Sequence, residues 1–482
     1  MKLSRALFAF GVALTLAASD LCGQTLNVLH HFSAPMAFDF TNSDGTGPGG
    51  AMAFSGGAIY GTATLGGLYG GGDVYAINLD GTGFRSLHYF ATPNPDWGTN
   101  TDGLNPNGVL ISSNILYGST ILGGTNGRGT IFSLDTAVGG FNLLHTFSGL
   151  SDGAEPGPIL KPGPLVYGYA YPTFFSVNPG GSNNFTAIDS QQPDLVVRAI
   201  SGDAVYGTSN GGGDNGTGFV FSIKTNGSNF TVLHSFGAKG PNIGTNADGF
   251  EPIGLILSDH TLFGLNFKGG TNGQNSGTVY SLSTDGTAFK LVHAFTTQMA
   301  SGIPSALGST NWDGGEPVGN PVLSGHTLYG VAETGGAKGY GTLFSVNTNG
   351  EFFTVLHTFS ALKGGAATNN DGACPTTCFM YGGVIYGTTQ EGGMNDGGAL
   401  FSLTVPAPRL RTIRLAETSL TLDATGGLAG GTYTLLSSPD PSLPFTQWTP
   451  VATNTLDGTG SGTFTTSASP ASTQNFFVLQ IQ

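Results

Sequence analysis

An aromatic residue followed by glycine recurs seven times along this chain: Tyr60-Gly61, Tyr117-Gly118, Tyr167-Gly168, Tyr206-Gly207, Phe263-Gly264, Tyr329-Gly330 and Tyr386-Gly387. The interval averages about 54 residues, so each copy is one supersecondary unit that must stack on its neighbours to bury an apolar face. A β-helix has a much shorter period, and a sandwich needs no repeat. The clearest copy runs from Pro252-Ile-Gly-Leu-Ile-Leu257 through Thr261-Leu-Phe-Gly264 and Gly269-Gly270. It continues as Gly277-Thr-Val-Tyr-Ser-Leu282, Asp285-Gly286 and Phe289-Lys-Leu-Val-His-Ala-Phe295. Four β-rich segments separated by Gly, Asn-Gly or Asp-Gly turns are the pattern of consecutive hairpins.

Four antiparallel strands taken seven times predict an all-β fold, a seven-bladed β-propeller. The seventh copy stops at Gly398-Ala-Leu-Phe-Ser-Leu403, without its last strand. That strand stands at the other end of the chain, as Leu26-Asn-Val-Leu-His-His-Phe32. An N-terminal strand completing the last blade closes the ring and removes an open sheet edge. Charged residues make up only 9%, which excludes a coiled coil or helical array, and 33 Phe with 15 Tyr exclude a disordered chain. The net charge of −14, with 15 scattered basic residues, excludes nucleic acid and anionic membrane surfaces as partners.

The full string of aromatic-Gly step, Gly-Gly loop, Gly-Thr-Val-Phe-Ser-Leu-like strand, Phe-Thr-Val-Leu-His-Ser-Phe-like strand and Asp-Gly-x-x-Pro loop resembles the GloVer (choice-of-anchor) tandem repeat of exported bacterial proteins. The resemblance covers roughly residues 26–404. It implies an extracytoplasmic, propeller-like protein and brings no established activity. The third copy departs from the pattern. It lacks the Gly-Gly loop, and Asp189 stands where the other copies have His.

Residues 1–23 read as a signal peptide: Lys2 and Arg5 precede an apolar run from Ala6 to Ala18, and small residues lead to Gly23. The propeller is expected over 25–404, a Pro-rich linker over 405–414, and a small β-sandwich module over 415–482 around Trp448. The chain is expected outside the cytoplasm: extracellular, on the cell surface or periplasmic. It is read as a monomer without a membrane span. Oxidising conditions permit a disulfide between Cys374 and Cys378 if the chain turns at Pro375. An extended backbone would hold them too far apart and leave two buried thiols.

Two polar positions recur. His30, His88, His145, His234, His293 and His357 share one strand position, and a blade-by-blade His reads as architectural. Each is followed by an Asp-Gly loop, at Asp44, Asp102, Asp152, Asp248, Asp313 and Asp371. A His among Val, Leu and Phe needs partners when buried, which predicts a hydrogen bond from each His to the loop that follows. The loops, Thr-Asn-x-Asp-Gly-x-x-Pro in five copies, read as side-chain-stabilised turns. The alternative is a ring of ligand or Ca²⁺ sites with hard oxygens such as Asn246, Asp248 and Glu251. No other cofactor is indicated.

The expected function is a secreted, non-catalytic binding or surface-associated propeller whose ligand is a polysaccharide or a protein partner. The alternatives are a propeller enzyme acting on polysaccharide or lactone, with or without Ca²⁺, and a passive envelope or matrix component. No catalytic constellation is marked by spacing. An enzyme should break the repeat symmetry at its site, and the third copy does so, with Tyr167, Tyr169, Tyr171 and Asp189 as its distinctive residues.

Overall fold

The computed structural model describes residues 26–34, 41–94, 98–161, 163–180, 184–188, 194–240, 246–270, 275–296, 298, 308–363, 367–416, 419–467 and 475–481. The leader and Asp189 lie outside these residues. The chain is all-β, and among the described residues its one helix is a single 3₁₀ turn, Phe445–Gln447. No helix among them is long and apolar enough to cross a membrane.

Each repeat makes one antiparallel sheet. In the fifth, Phe250–Ser258, Thr261–Lys268, Thr278–Ser283 and Lys290–Ala294 pair in chain order. The first, second, fourth and sixth repeats do the same, starting at Thr46–Ser55, Leu104–Ser112, Leu195–Ser201 and Gly315–Ser324. In the seventh sheet Ala373–Tyr381, Val384–Glu391 and Asp396–Thr404 are joined by Leu26–Ser33 from the start of the chain, with Leu26 opposite Leu403 and Val28 opposite Phe401. The third sheet has only three regular strands, Val166–Ala170, Thr173–Val177 and Phe185–Ile188. Its first segment pairs through isolated bridges, Leu160 with Tyr167 and Ala154 with Tyr171. Pro156, Pro158 and Pro164 remove amide donors that a fourth regular strand would need.

The aromatic-Gly step has a direct steric cause. In all seven sheets the ring of a third-strand Tyr or Phe lies across the second-strand glycine. A Cβ added at Gly61, Gly118, Gly168, Gly207, Gly264, Gly330 or Gly387 would fall 2.2–2.6 Å from the Cζ of Tyr75, Phe132, Phe175, Phe221, Tyr280, Phe344 or Phe401. Only glycine lets the ring lie that close. A second glycine couples successive sheets: Gly72, Gly129, Gly218, Gly277, Gly341 and Gly398, all at φ between +89° and +98°, each receive the Pro ring that opens the next sheet. The last of these contacts joins Gly398 of the seventh sheet to Pro48 of the first. Thr376 Oγ1 also donates to the Pro48 carbonyl oxygen at 3.3 Å. Between sheets the core repeats as clusters such as Phe263, Leu265, Val292, Phe295, Leu328 and Phe344.

Beyond Leu403, Arg409–Ala416, Ser419–Thr425 and Gly462–Ser467 form one sheet, and Thr449–Thr455, Thr432–Ser438 and Phe476–Ile481 another. They enclose Leu422, Tyr433, Leu435, Leu456, Phe464 and Leu479. Arg409–Ala416 pairs with Ser419–Thr425, so most of the stretch read as a linker from its prolines is strand. Leu428 packs with Tyr329, Val405 and Leu403, and Thr327 Oγ1 donates to the Gly430 carbonyl oxygen at 3.3 Å, seating these sheets against the sixth and seventh.

Candidate functional site

The recurrent polar residues converge on one arrangement. Nε2 of His30, His88, His145, His234, His293 and His357 lies 2.9–3.2 Å from Oδ2 of Asp44, Asp102, Asp152, Asp248, Asp313 and Asp371. Five of these imidazoles also stack on a Phe of the following sheet. The pairs are His30–Phe84, His88–Phe141, His145–Phe185, His234–Phe289 and His293–Phe353, with centroids 3.8–4.0 Å apart and planes within 12°. The carboxylates of Asp102, Asp152, Asp248, Asp313 and Asp371 accept a further backbone N–H, from Ala91, Ser148, Gly237, Thr296 and Ser360. Burial holds His145 below the usual imidazole range, against the opposing pull of Asp152, which favours the neutral ring there.

The loop Asn completes the latch. Nδ2 of Asn100 donates to the carbonyl oxygens of Ala91 and Gly103, while its Oδ1 accepts the N–H groups of Gly103 and of Gly124 in the Gly-Gly loop. Asn42, Asn311 and Asn369 repeat the set, and Asn246 makes its donor half to Gly237 and Gly249. The position occupied by Glu251, Glu155 and Glu316 in some copies, and by Gly47, Asn105 and Cys374 in others, has φ between +52° and +62° in all six. What recurs there is a backbone conformation, and at Asn105, Glu155, Glu251, Glu316 and Cys374 the N–H bonds back to the preceding sheet. Of the oxygens offered by sequence for Ca²⁺, the Asp248 carboxylate is held by His234 and the Gly237 N–H, Asn246 Oδ1 is buried without a partner, and Glu251 lies 3.8 Å from Lys239 Nζ. No group of three or more His, Cys, Asp or Glu that could hold a metal occurs among the described residues.

The third repeat does not gather its tyrosines into a site. Tyr169 is buried and Tyr167 partly so, both packing against Leu195, Val197 and Phe221 of the fourth sheet, whereas Tyr171 is exposed. Cys374 and Cys378 are not bridged. Both lie on Ala373–Tyr381, where pairing with Val384–Glu391 keeps the backbone from making the turn that a bridge needs. Burial raises both thiols, Cys378 to about 12, and Cys374 is raised further by Glu391, Glu333 and Glu316.

Two features escaped the repeat-based reading, because each depends chiefly on residues that are not repeated. The first is a cavity of about 370 Å³ bounded by Ala51–Ala53, Val109–Ile111, Pro158–Lys161, Val197–Arg198 and Asn320. It lies where the opening strands of the sheets meet, and those strands are bulged there, between Gly49 and Ala53, Pro106 and Val109, Val197 and Ala199, and Val318 and Val322. Bulges re-aim side chains and are enriched beside functional sites. Arg198 is the bulge residue of its strand. Its Nε is buried without a partner, and desolvation pushes the guanidinium down to about 10, still cationic at neutral pH.

The second feature is a polar cluster on the fifth to seventh sheets. Lys268 Nζ lies 3.1 Å from Glu316 Oε1, Thr334 Oγ1 donates to Glu316 Oε2 at 3.1 Å, and the Cys374 thiol points to Glu391 Oε2 at 3.8 Å. Burial, and then the charges of Glu316 and Glu391, raise the Glu333 carboxyl. A cue was present in the sequence, since Lys268, Glu333 and Glu391 fall just before the Gly-Gly loops, where other copies carry Leu65, Ile121 or Leu122.

A profile of the Gloeobacter/Verrucomicrobia repeat matches residues 15–176. The chain carries this repeat. The match agrees with the resemblance read from the recurring string, and the third to seventh sheets extend the same strand pattern beyond it. No curated protein matches. Among solved structures, oligogalacturonate lyase from Vibrio parahaemolyticus aligns at 11% identity and a TM-score of 0.47, over 81% of this chain and 99% of that one. An oligogalacturonate lyase in complex with manganese aligns at 12% and 0.46, over 80% and 99%. A gluconolactonase from Xanthomonas campestris aligns at 14% and 0.37, over 80% and 90%.

Proposed function

We propose that the seven sheets close into a seven-bladed β-propeller, completed by Leu26–Ser33, and that the protein is an exported, non-catalytic binding module. The observation that carries this reading is the cavity where the bulged opening strands converge, lined mainly by apolar side chains with a few polar groups, as small-ligand and recognition sites are. The repeat polar residues hold the sheets together, which leaves the loop faces to meet a polysaccharide or a protein partner and the central cavity to take a smaller, largely apolar group. A glycan-array and protein-capture screen of the full chain, run beside turnover assays on the ligands found, tests it. Saturable binding without turnover is the expected result. Conversion of a bound glycan or lactone would replace this reading with the enzyme.

One observation favours that second reading. The Glu333 carboxyl, raised by burial beside the charges of Glu316 and Glu391, has the makings of a general acid next to a carboxylate base. If a polysaccharide or lactone is turned over, Glu333→Gln should abolish turnover while leaving binding intact.

A further inference from the structure

We propose that Arg198 anchors the carboxylate of a compact, otherwise apolar acid in the central cavity, an inference that rests on the binding-module reading and names its ligand class. A guanidinium taken out of water carries a large penalty unless a partner compensates it. Here Nε is buried without a hydrogen bond, and no carboxylate among the described residues pairs with the side chain. Asp259 shares with Arg198 the adjoining groove, of about 510 Å³, yet forms no ion pair with it. In a chain with 29 acidic residues and 15 basic ones, an unpaired cation at the meeting point of two cavities asks for an anion from outside.

The lining narrows the ligand. Lys161 also reaches the cavity, but its ammonium donates to the Gly163 carbonyl oxygen at 2.5 Å and lies over the Tyr117 ring. Asn320 spends its Oδ1 on the N–H of Leu255 at 3.2 Å, leaving its amide NH₂ group to donate. One planar fork and one amide match a single carboxylate, bound bidentately. A phosphate dianion would need more donors than these. The remaining wall, including Met52, Val109, Ile159 and Val197, offers few partners to sugar hydroxyls and favours a hydrocarbon body.

Titration calorimetry of the full chain with benzoate, benzamide, a hexuronate and inorganic phosphate tests the proposal. Benzoate should bind, and benzamide about tenfold or more weaker, a loss of about 1.4 kcal/mol or more. Arg198→Met should abolish benzoate binding, and Arg198→Lys should weaken it by about tenfold, because an ammonium keeps the charge without the fork. Without ligand, Arg198→Met should melt at or above the parent temperature, since it removes a cation whose Nε is buried without a partner. Absence of benzoate binding, binding of phosphate or hexuronate as tight as benzoate, or a lower melting temperature for ligand-free Arg198→Met would each overturn it. If a glycan or protein ligand found by screening still binds Arg198→Met normally, the binding-module reading survives and this inference alone fails.

Discussion

Replacing His234 by Ala isolates one latch between the fourth and fifth sheets. The imidazole is about four-fifths buried, donates from Nε2 to Asp248 Oδ2 at 3.2 Å, and stacks on Phe289 at 4.0 Å with planes 6° apart. Asp248 is not orphaned by the change, because both its oxygens still accept the N–H of Gly237, at 3.1 and 3.2 Å. The loss is therefore a hydrogen bond to a charged group, about 1.5–3 kcal/mol, plus an aromatic contact of about 0.5–1.5 kcal/mol. We expect about 2–4 kcal/mol from urea unfolding followed by circular dichroism at pH 7, read at unchanged denaturant slope. His234→Phe keeps the stack and removes only the hydrogen bond, so it should cost about half as much. Asp248→Ala also unpairs Gly237, and the double variant should cost less than the sum of the singles by about 1–3 kcal/mol. Additivity within about 0.5 kcal/mol, or a His234→Phe protein as stable as the parent, would refute the latch as an energetic unit.

The sixth latch lacks its ring: His357 has no Phe stacked on it, and Leu26 occupies the corresponding place beside it in an open groove. Leu26→Phe should stabilise the chain by about 0.5–1.5 kcal/mol in the same unfolding assay, and unchanged stability would argue against stacking as a contributor. Asp73 is fully buried where other copies carry Thr130, Thr278 or Thr342, and burial, offset by Ser86 and added to by Asp44, raises its carboxyl to about 8. The folded state therefore holds a proton that the unfolded chain loses near pH 4, and this contribution falls away as pH rises from about 4 to 8. Asp73→Thr should raise the melting temperature more at pH 8 than at pH 5, and an equal rise at both would contradict the assignment. Gly264→Ala would drive a methyl group against the Tyr280 ring, so it should destabilise by more than about 3 kcal/mol, whereas Gly264→Ala with Tyr280→Ala should recover part of that loss. Deleting residues 25–33 should strip the outer strand from the seventh sheet and cause aggregation on mild heating, and a truncated chain that melts like the parent would exclude closure by this strand.

What could be read in the sequence was what the fold repeats. The step at Tyr60-Gly61 and its six echoes and the His–Asp pairing are each copied because each sheet meets the same packing problem, and the last strand absent from the seventh copy stands out against that pattern. Periodicity exposes such features without any knowledge of contacts. The third repeat shows where that logic thins: its prolines leave only bridges in place of a first strand, and of its tyrosines Tyr167 and Tyr169 pack against the fourth sheet while Tyr171 is exposed. Cys374, one of the two buried thiols that an extended backbone leaves unbridged, is uninformative for a related reason. It occupies a position where the backbone needs positive φ, so side-chain identity carries little information there. Arg198 lies at the opposite extreme. Counted back along the sequence from the aromatic-Gly step, its place is taken by Met52, Val109 or Leu255 in other copies, and alone it is one basic residue among 15. Only the packing of successive sheets brings Ala51, Val109, Ile159 and Asn320 around it. A repeat protein spends its periodic residues on joining copies, so a ligand must be recognised by the residues that break the period. On the binding-module proposal, the residues to test are Arg198 and the Lys268, Glu333 and Glu391 positions on the last three sheets, where substitutions should change binding or turnover while leaving the latches intact.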